Sequence, residues 1–154
     1  MKPLVSIITP CFNGEKYLDR FFRSVLNQTY ENLELIFIND GSSDKTEEKV
    51  LNYKDELKNR NICFTYLYQD NAGQAAALNK GLKVFKGDYL VWPDSDDELV
   101  PDSIEKRVDF LEKHPELGIM RSNGIVINDE TGEQNRIDNK PHLEEEDIYE
   151  SIML

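Results

Sequence analysis

Leu33-Glu34-Leu35-Ile36-Phe37-Ile38 runs straight into Asn39-Asp40-Gly41-Ser42-Ser43-Asp44, an apolar run that gives way to a polar loop. The same change occurs twice more. Residues 4–8 lead into Thr9-Pro10-Cys11-Phe12-Asn13, and residues 89–92 lead into Asp94-Ser95-Asp96-Asp97. In an open α/β sheet the carboxyl ends of parallel strands share one edge, and ligands bind in the crevice along it. Three polar loops at strand ends therefore predict one shared site.

Working outward, strand and helix alternate. Residues 4–9 read as a buried strand by their β-branched content, and Tyr17, Leu18, Phe21, Phe22, Val25 and Leu26 follow at helical spacing. After the 33–38 strand, Asp44 with Glu47 marks a capped helix start, the helix running into residues 54–57. Residues 62–67 predict a third strand. A third helix over 75–84 has a smooth side at Ala75-Ala76-Ala77, and 89–92 is a fourth strand. Asp102 and Glu105 cap a fourth helix that buries Ile104, Val108 and Leu111 and stops at Pro115, with His114 placed to cap carbonyls. Strands separated by helices pair in parallel through right-handed crossovers. The expectation is an α/β fold: a mostly parallel central sheet with helices on both faces. Past Pro115, residues 119–121, 125–128 and 134–137 read as a short antiparallel addition, with a hairpin turn at Asp129-Glu130-Thr131-Gly132. Residues 146–154 read as an amphipathic helix.

A chain of 154 residues fits one domain with a real core, so residues 1–154 are expected as a single unit. With 39% hydrophobic and 31% charged residues, disorder is excluded. No apolar run approaches bilayer length and no signal-peptide pattern opens the chain. The expectation is a cytoplasmic protein, peripheral to the inner membrane face at most. A net charge of −12 excludes nucleic acid as a partner, because phosphate binding needs clustered Lys and Arg. Much of that charge lies in residues 129–150, most simply a solvated surface. Cys11 and Cys63 have neither metal-ligand spacing nor a disulfide context. The apolar ending Ile152-Met153-Leu154 leads us to expect a longer parent chain.

Asp94, Asp96 and Asp97 are the sharpest group. Alternate residues at a strand end point the same way, so Asp94 and Asp96 can converge on Mg²⁺ or Mn²⁺, hard cations that suit carboxylates. A turn with helix-capping aspartates is the plain alternative. A calcium loop is not: Leu99 stands where that loop demands glycine. Asp40 ends a strand beside Gly41, placed either to accept a base N–H or merely to organise the turn. Pro10, Phe12 and Asn13 would form the other wall, Asn13 also capping the next helix. Asn71-Ala72-Gly73-Gln74 precedes the third helix, whose free N–H groups suit an anion or a ribose.

Taken in order, these motifs resemble the nucleotide-binding half of a family 2 glycosyltransferase of the GT-A, Rossmann-like fold. The resembling residues are 5–13, Gln28-Thr29-Tyr30, 35–44, then Asn71, Gly73, Ala77, Asn79 and Gly81, then Gly87-Asp88-Tyr89, 94–97 and Pro101. The resemblance implies transfer of a sugar from a nucleotide diphosphate donor, most often a uridine one, to an acceptor hydroxyl. Inversion, a divalent cation (Mn²⁺ or Mg²⁺) and a carbohydrate or glycolipid acceptor in surface polysaccharide synthesis are implied with it. By position, Asp40 resembles the base-reading aspartate, and Asp94 and Asp96 the DxD pair, Asp96 on the metal. Thr9, Pro10, Phe12, Asn13, Asn71, Gly73 and Ser95 fall with the nucleotide pocket. Leu78 departs from the arginine that relatives carry there. The general base matches no motif here and is expected past Leu154. Two rival readings are a nucleotidyltransferase, which would want a basic glycine-rich loop that this chain lacks, and a module that binds a nucleotide sugar without turnover.

Overall fold

The computed structural model describes residues 2–137. The chain divides into two compact units, Met1–Lys113 and His114–Leu154.

In the first unit, β1 (Val5–Cys11) and β2 (Leu33–Asp40) are buried along their whole length. Such strands are covered on both faces, which is why they read as largely apolar runs rather than alternating ones; the buried Glu34 within β2 accepts from Ser6 Oγ and Lys86 N. With β3 (Cys63–Gln69) and β4 (Tyr89–Val91) they form one parallel sheet in the order β3-β2-β1-β4. Five helices surround it: α1 (Leu18–Leu26), α2 (Thr46–Asn52), α3 (Lys54–Asn59), α4 (Gln74–Gly81) and α5 (Ser103–Lys113).

The two-residue period of the strands sorts the core. Val5, Ile7, Leu33, Leu35 and Phe37 face Leu18, Phe21, Phe22 and Val25 of α1, Val50 of α2, Leu57 of α3, and Ile104 and Val108 of α5. Ile8, Ile36 and Ile38 pack with Ala77 of α4 on the opposite face. There α4 sits tight: a Cβ on Gly81 would stand 2.5 Å from Ile8 Cγ2.

Some expectations need correction. The helix expected from Asp44 into residues 54–57 is two helices with a turn at Tyr53. That turn lets the Tyr53 ring stack on Phe22, centroids 4.5 Å apart, while its hydroxyl donates to Asp19. Only Ala77 of the alanine run is buried. Asp102 pairs with Lys106, and Glu105 accepts from Thr29 Oγ1. The N–H of Ile104 near the start of α5 goes to Gln28 Oε1 instead.

In the second unit, β5 (Gly124–Ile127) and β6 (Gln134–Ile137) form their own antiparallel sheet. Asn128 Oδ1 accepts the N–H groups of Glu130 and Thr131, which sets the expected hairpin turn. Residues 119–121 are not a strand, and Ile119 is exposed. The ring of His114 contacts Glu116. The helix expected over 146–154 lies outside the described residues.

Gln28 fixes the approach to the acidic loop. Its side chain is 1% exposed and donates to Ser24 O at 3.0 Å and Val100 O at 2.9 Å while accepting from Ile104 N. Replacing it with Met keeps the bulk and strands these buried groups. Gln28→Met is expected to cost about 2–3 kcal/mol of stability, read by urea unfolding.

Candidate active site

The chain leaves β1 toward β2 on one side, whereas β4 joins β1 on the other. This switch in strand order lies between β1 and β4, where open α/β sheets bind ligands. A cleft of about 260 Å³ opens there. It gathers Pro10, Phe12, Asn13, Asp40, Asp94, Ser95 and Asp96 from the expected set, together with Cys11, Gly14, Tyr17 and Gln74. A larger groove of about 420 Å³ borders α1, α2 and α3, spanned by the Lys49–Asp19 ion pair. No residue of the strand-end stretches 9–13, 39–44 or 94–97 lines it.

The four strand-end loops are tied to one another. Asp40 is 3% exposed; its Oδ1 accepts from Gln69 Nε2 at 2.7 Å and Ala72 N at 2.9 Å, and its Oδ2 from Gly73 N at 2.9 Å. Burial pushes this carboxyl up. The donated bonds from Ala72, Gln69 and Gly73 outweigh it and hold Asp40 below the usual carboxylate range. Gly41 makes this closeness possible with φ +74°, since a Cβ there would lie 2.6 Å from Asn71 N.

Asn13 does not cap α1 as expected. Its Oδ1 accepts from Ser43 N at 2.9 Å and its own N–H donates to Ser42 Oγ, so it ties the β1 loop to the β2 loop. That leaves the side-chain NH₂ as the group this residue can offer a ligand. Gly14 N donates to the buried Thr46 Oγ1. Asp44 accepts from Glu15 N and Thr46 N.

On the β4 side, the Ser95 hydroxyl hydrogen-bonds the buried Cys11 thiol, whose pKa burial pushes up. Asp94 Oδ1 accepts from Gln74 Nε2 at 2.6 Å. Lost hydration first, then the charges of Asp97 and Asp96, push the Asp94 carboxyl up, and the Gln74 bond pulls it partway back. Three like charges crowd one loop. Among the described residues, no three His, Cys, Asp or Glu side chains converge as a metal-holding group.

Three expected residues do not line the cleft. Thr9 is wholly buried, and its hydroxyl finds no partner among the described residues. Asn71 is exposed and packs its backbone on Gly41. Gly73 contributes through its N–H to Asp40. Sequence reasoning passed over Gln69 and Gln74 as partners of the two key aspartates. Gln74 stands beside Gly73 in a stretch already singled out, but nothing local marks Gln69.

The glycosyl transferase family 2 model matches residues 6–152. The chain belongs to that family. An uncharacterized glycosyltransferase of Rickettsia typhi is 46% identical over 111 residues, covering 72% of this chain and 33% of the relative. A putative teichuronic acid biosynthesis glycosyltransferase of Bacillus subtilis, TuaG, is 38% identical over 71% of this chain and 42% of its own length. The chain thus spans about a third of the first relative. Residues 1–349 of S. aureus TarS, solved with UDP, superpose with a TM-score of 0.66 at 25% identity, covering 73% of this chain and 33% of that one. The GT-A fold expected from the sequence is the fold observed. No helix of the described residues is long and apolar enough to cross a membrane.

Asp40 yields a test in acid. Its depressed folded value means its contribution is complete above the ordinary carboxylate value of 3.8 and is lost as pH falls through the folded value. Asp40→Asn replaces one acceptor oxygen with a donor facing N–H groups. The variant is expected to lose about 1.5–3 kcal/mol at pH 7. Urea unfolding at pH 3 should show the gap to the parent narrowed.

Proposed function

We propose that this chain forms a single nucleotide-sugar-binding GT-A region, residues 1–154, of a glycosyltransferase. It takes a sugar from a uridine diphosphate donor to an acceptor hydroxyl in surface polysaccharide synthesis. The observation that carries the reading is the meeting of Asp40 with Asp94 and Asp96 in one cleft at the strand-order switch.

Asp40 suits a uracil. A carboxylate offers about four acceptor positions, and three donors occupy Asp40. One position remains on Oδ2 for the imide N–H of the base. Cytosine presents an acceptor at the same ring nitrogen and is disfavoured. Phe12, 54% exposed, offers a flat apolar face on the same wall.

Asp94 and Asp96 fit a divalent cation of the Mn²⁺ or Mg²⁺ kind. Such ions are commonly held by one or two carboxylates plus substrate phosphates, so no third protein ligand is required. When bound, the cation offsets negative charge on the departing diphosphate. The protein holds the nucleoside and diphosphate ends apart along the cleft, leaving the anomeric carbon open to the acceptor oxygen. In transfer with inversion that oxygen bonds the anomeric carbon as the bond to phosphate breaks, and its proton passes to a base not assigned in this chain. A coverage of one third of the first relative favours a second reading, in which residues 1–154 bind the donor without turnover.

Calorimetry tests the proposal directly. UDP is expected to bind with Mn²⁺ or Mg²⁺ and to weaken at least about tenfold without cation or in Asp96→Ala, the loss of roughly one charged contact. Equal affinity in all three conditions overturns it.

A further inference from the structure

Gln74 is the first residue of α4, and its position is set from the far side of the cleft. Gly73 before it adopts φ 88° and ψ 161°, a conformation open to glycine, and its N–H is held by Asp40 Oδ2. The Gln74 side chain then reaches Asp94 Oδ1 at 2.6 Å. A continuous path runs from the end of β2 through the start of α4 to the loop after β4. It joins the two aspartates that the cleft brings together.

The chemistry of the link is specific. Asp94 carries charges from Asp96 and Asp97 close by, and their repulsion would swing an unrestrained carboxylate away. A lysine or arginine in place of Gln74 would also hold Asp94, but would neutralise it and compete with a cation. A neutral amide fixes one oxygen and leaves the charge available. The other Asp94 oxygen accepts from no group among the described residues.

We propose that Gln74 is a positioning residue: its amide holds Asp94 in the orientation from which the carboxylate meets a cation–diphosphate pair. It thereby couples that end of the cleft to the Asp40 end. This rests on the functional reading above.

The test uses Gln74→Met, which keeps length and removes the donor, and Gln74→Asn, which keeps the amide but falls one methylene short. Trp92 is the only tryptophan in the chain, 61% exposed and two positions before Asp94, so its emission follows Mn²⁺ titrated in the presence of UDP. Both variants are expected to raise the Mn²⁺ concentration at half-saturation by roughly tenfold, with an unchanged melting temperature, because Gln74 is exposed. Half-saturation within about twofold of the parent, or a shift accompanied by an equal loss in Gln74→Asn and Gln74→Met of melting temperature, overturns the assignment. A parent chain that binds UDP with no need of Mn²⁺ overturns the functional reading itself.

Discussion

A carboxylate placed almost out of water at the end of a central strand must find donors, and Asp40 finds them in the Gln69 side chain at the end of β3 and in the backbone N–H groups of Ala72 and Gly73 before α4. Desolvating that group without partners would cost several kcal/mol. The three bonds it receives therefore dictate where residues 69–73 go. Because β2 is paired with β1 through Asn39 and with β3 through Asp40, the position of Asp40 is set by the sheet. The Asp40 bonds to Ala72 and Gly73 carry that placement to the start of α4, and with it to the Gln74 contact with Asp94.

The other loops follow the same principle of exchanging main-chain groups for side chains of a neighbouring loop. Asn13 is matched by Ser42 and Ser43, Gly14 by Thr46, and Glu15 by Asp44. Lys45 N in return donates to Glu15 Oε2. Short loops that would fray separately are thus pinned as one rim. Rigid placement of this kind is what a site needs in order to hold charges where they would otherwise fly apart.

Much of the scaffold was legible because its signals are local. The β-branched runs of β1 and β2 and the spacing of Leu18, Phe21, Phe22 and Val25 each report on their own segment. The break at Tyr53 was not legible, since the stacking it permits is with Phe22, thirty-one positions earlier in the chain. The site shows the same division. Asp40, Asp94 and Asp96 were visible as acidic loop residues, and the cleft does contain them. Their partners were hidden, because Ala72 and Gly73 act through main-chain N–H groups some thirty residues from Asp40. Asn13 likewise looked like a helix cap and became a bridge to Ser43, a choice that only the parallel register of β1 and β2 makes available.

The crowding of Asp94, Asp96 and Asp97 in the loop after β4, where Asp94 and Asp96 line the cleft, on a chain of net charge −12, has a kinetic side. An anion diffusing in alone meets a repulsive field that reaches about 10 Å at 0.1 M ionic strength. Sites that steer their ligands slow down as salt is added. This cleft should do the opposite, admitting bare anions faster as ionic strength rises and favouring those that arrive already escorted by a counter-ion.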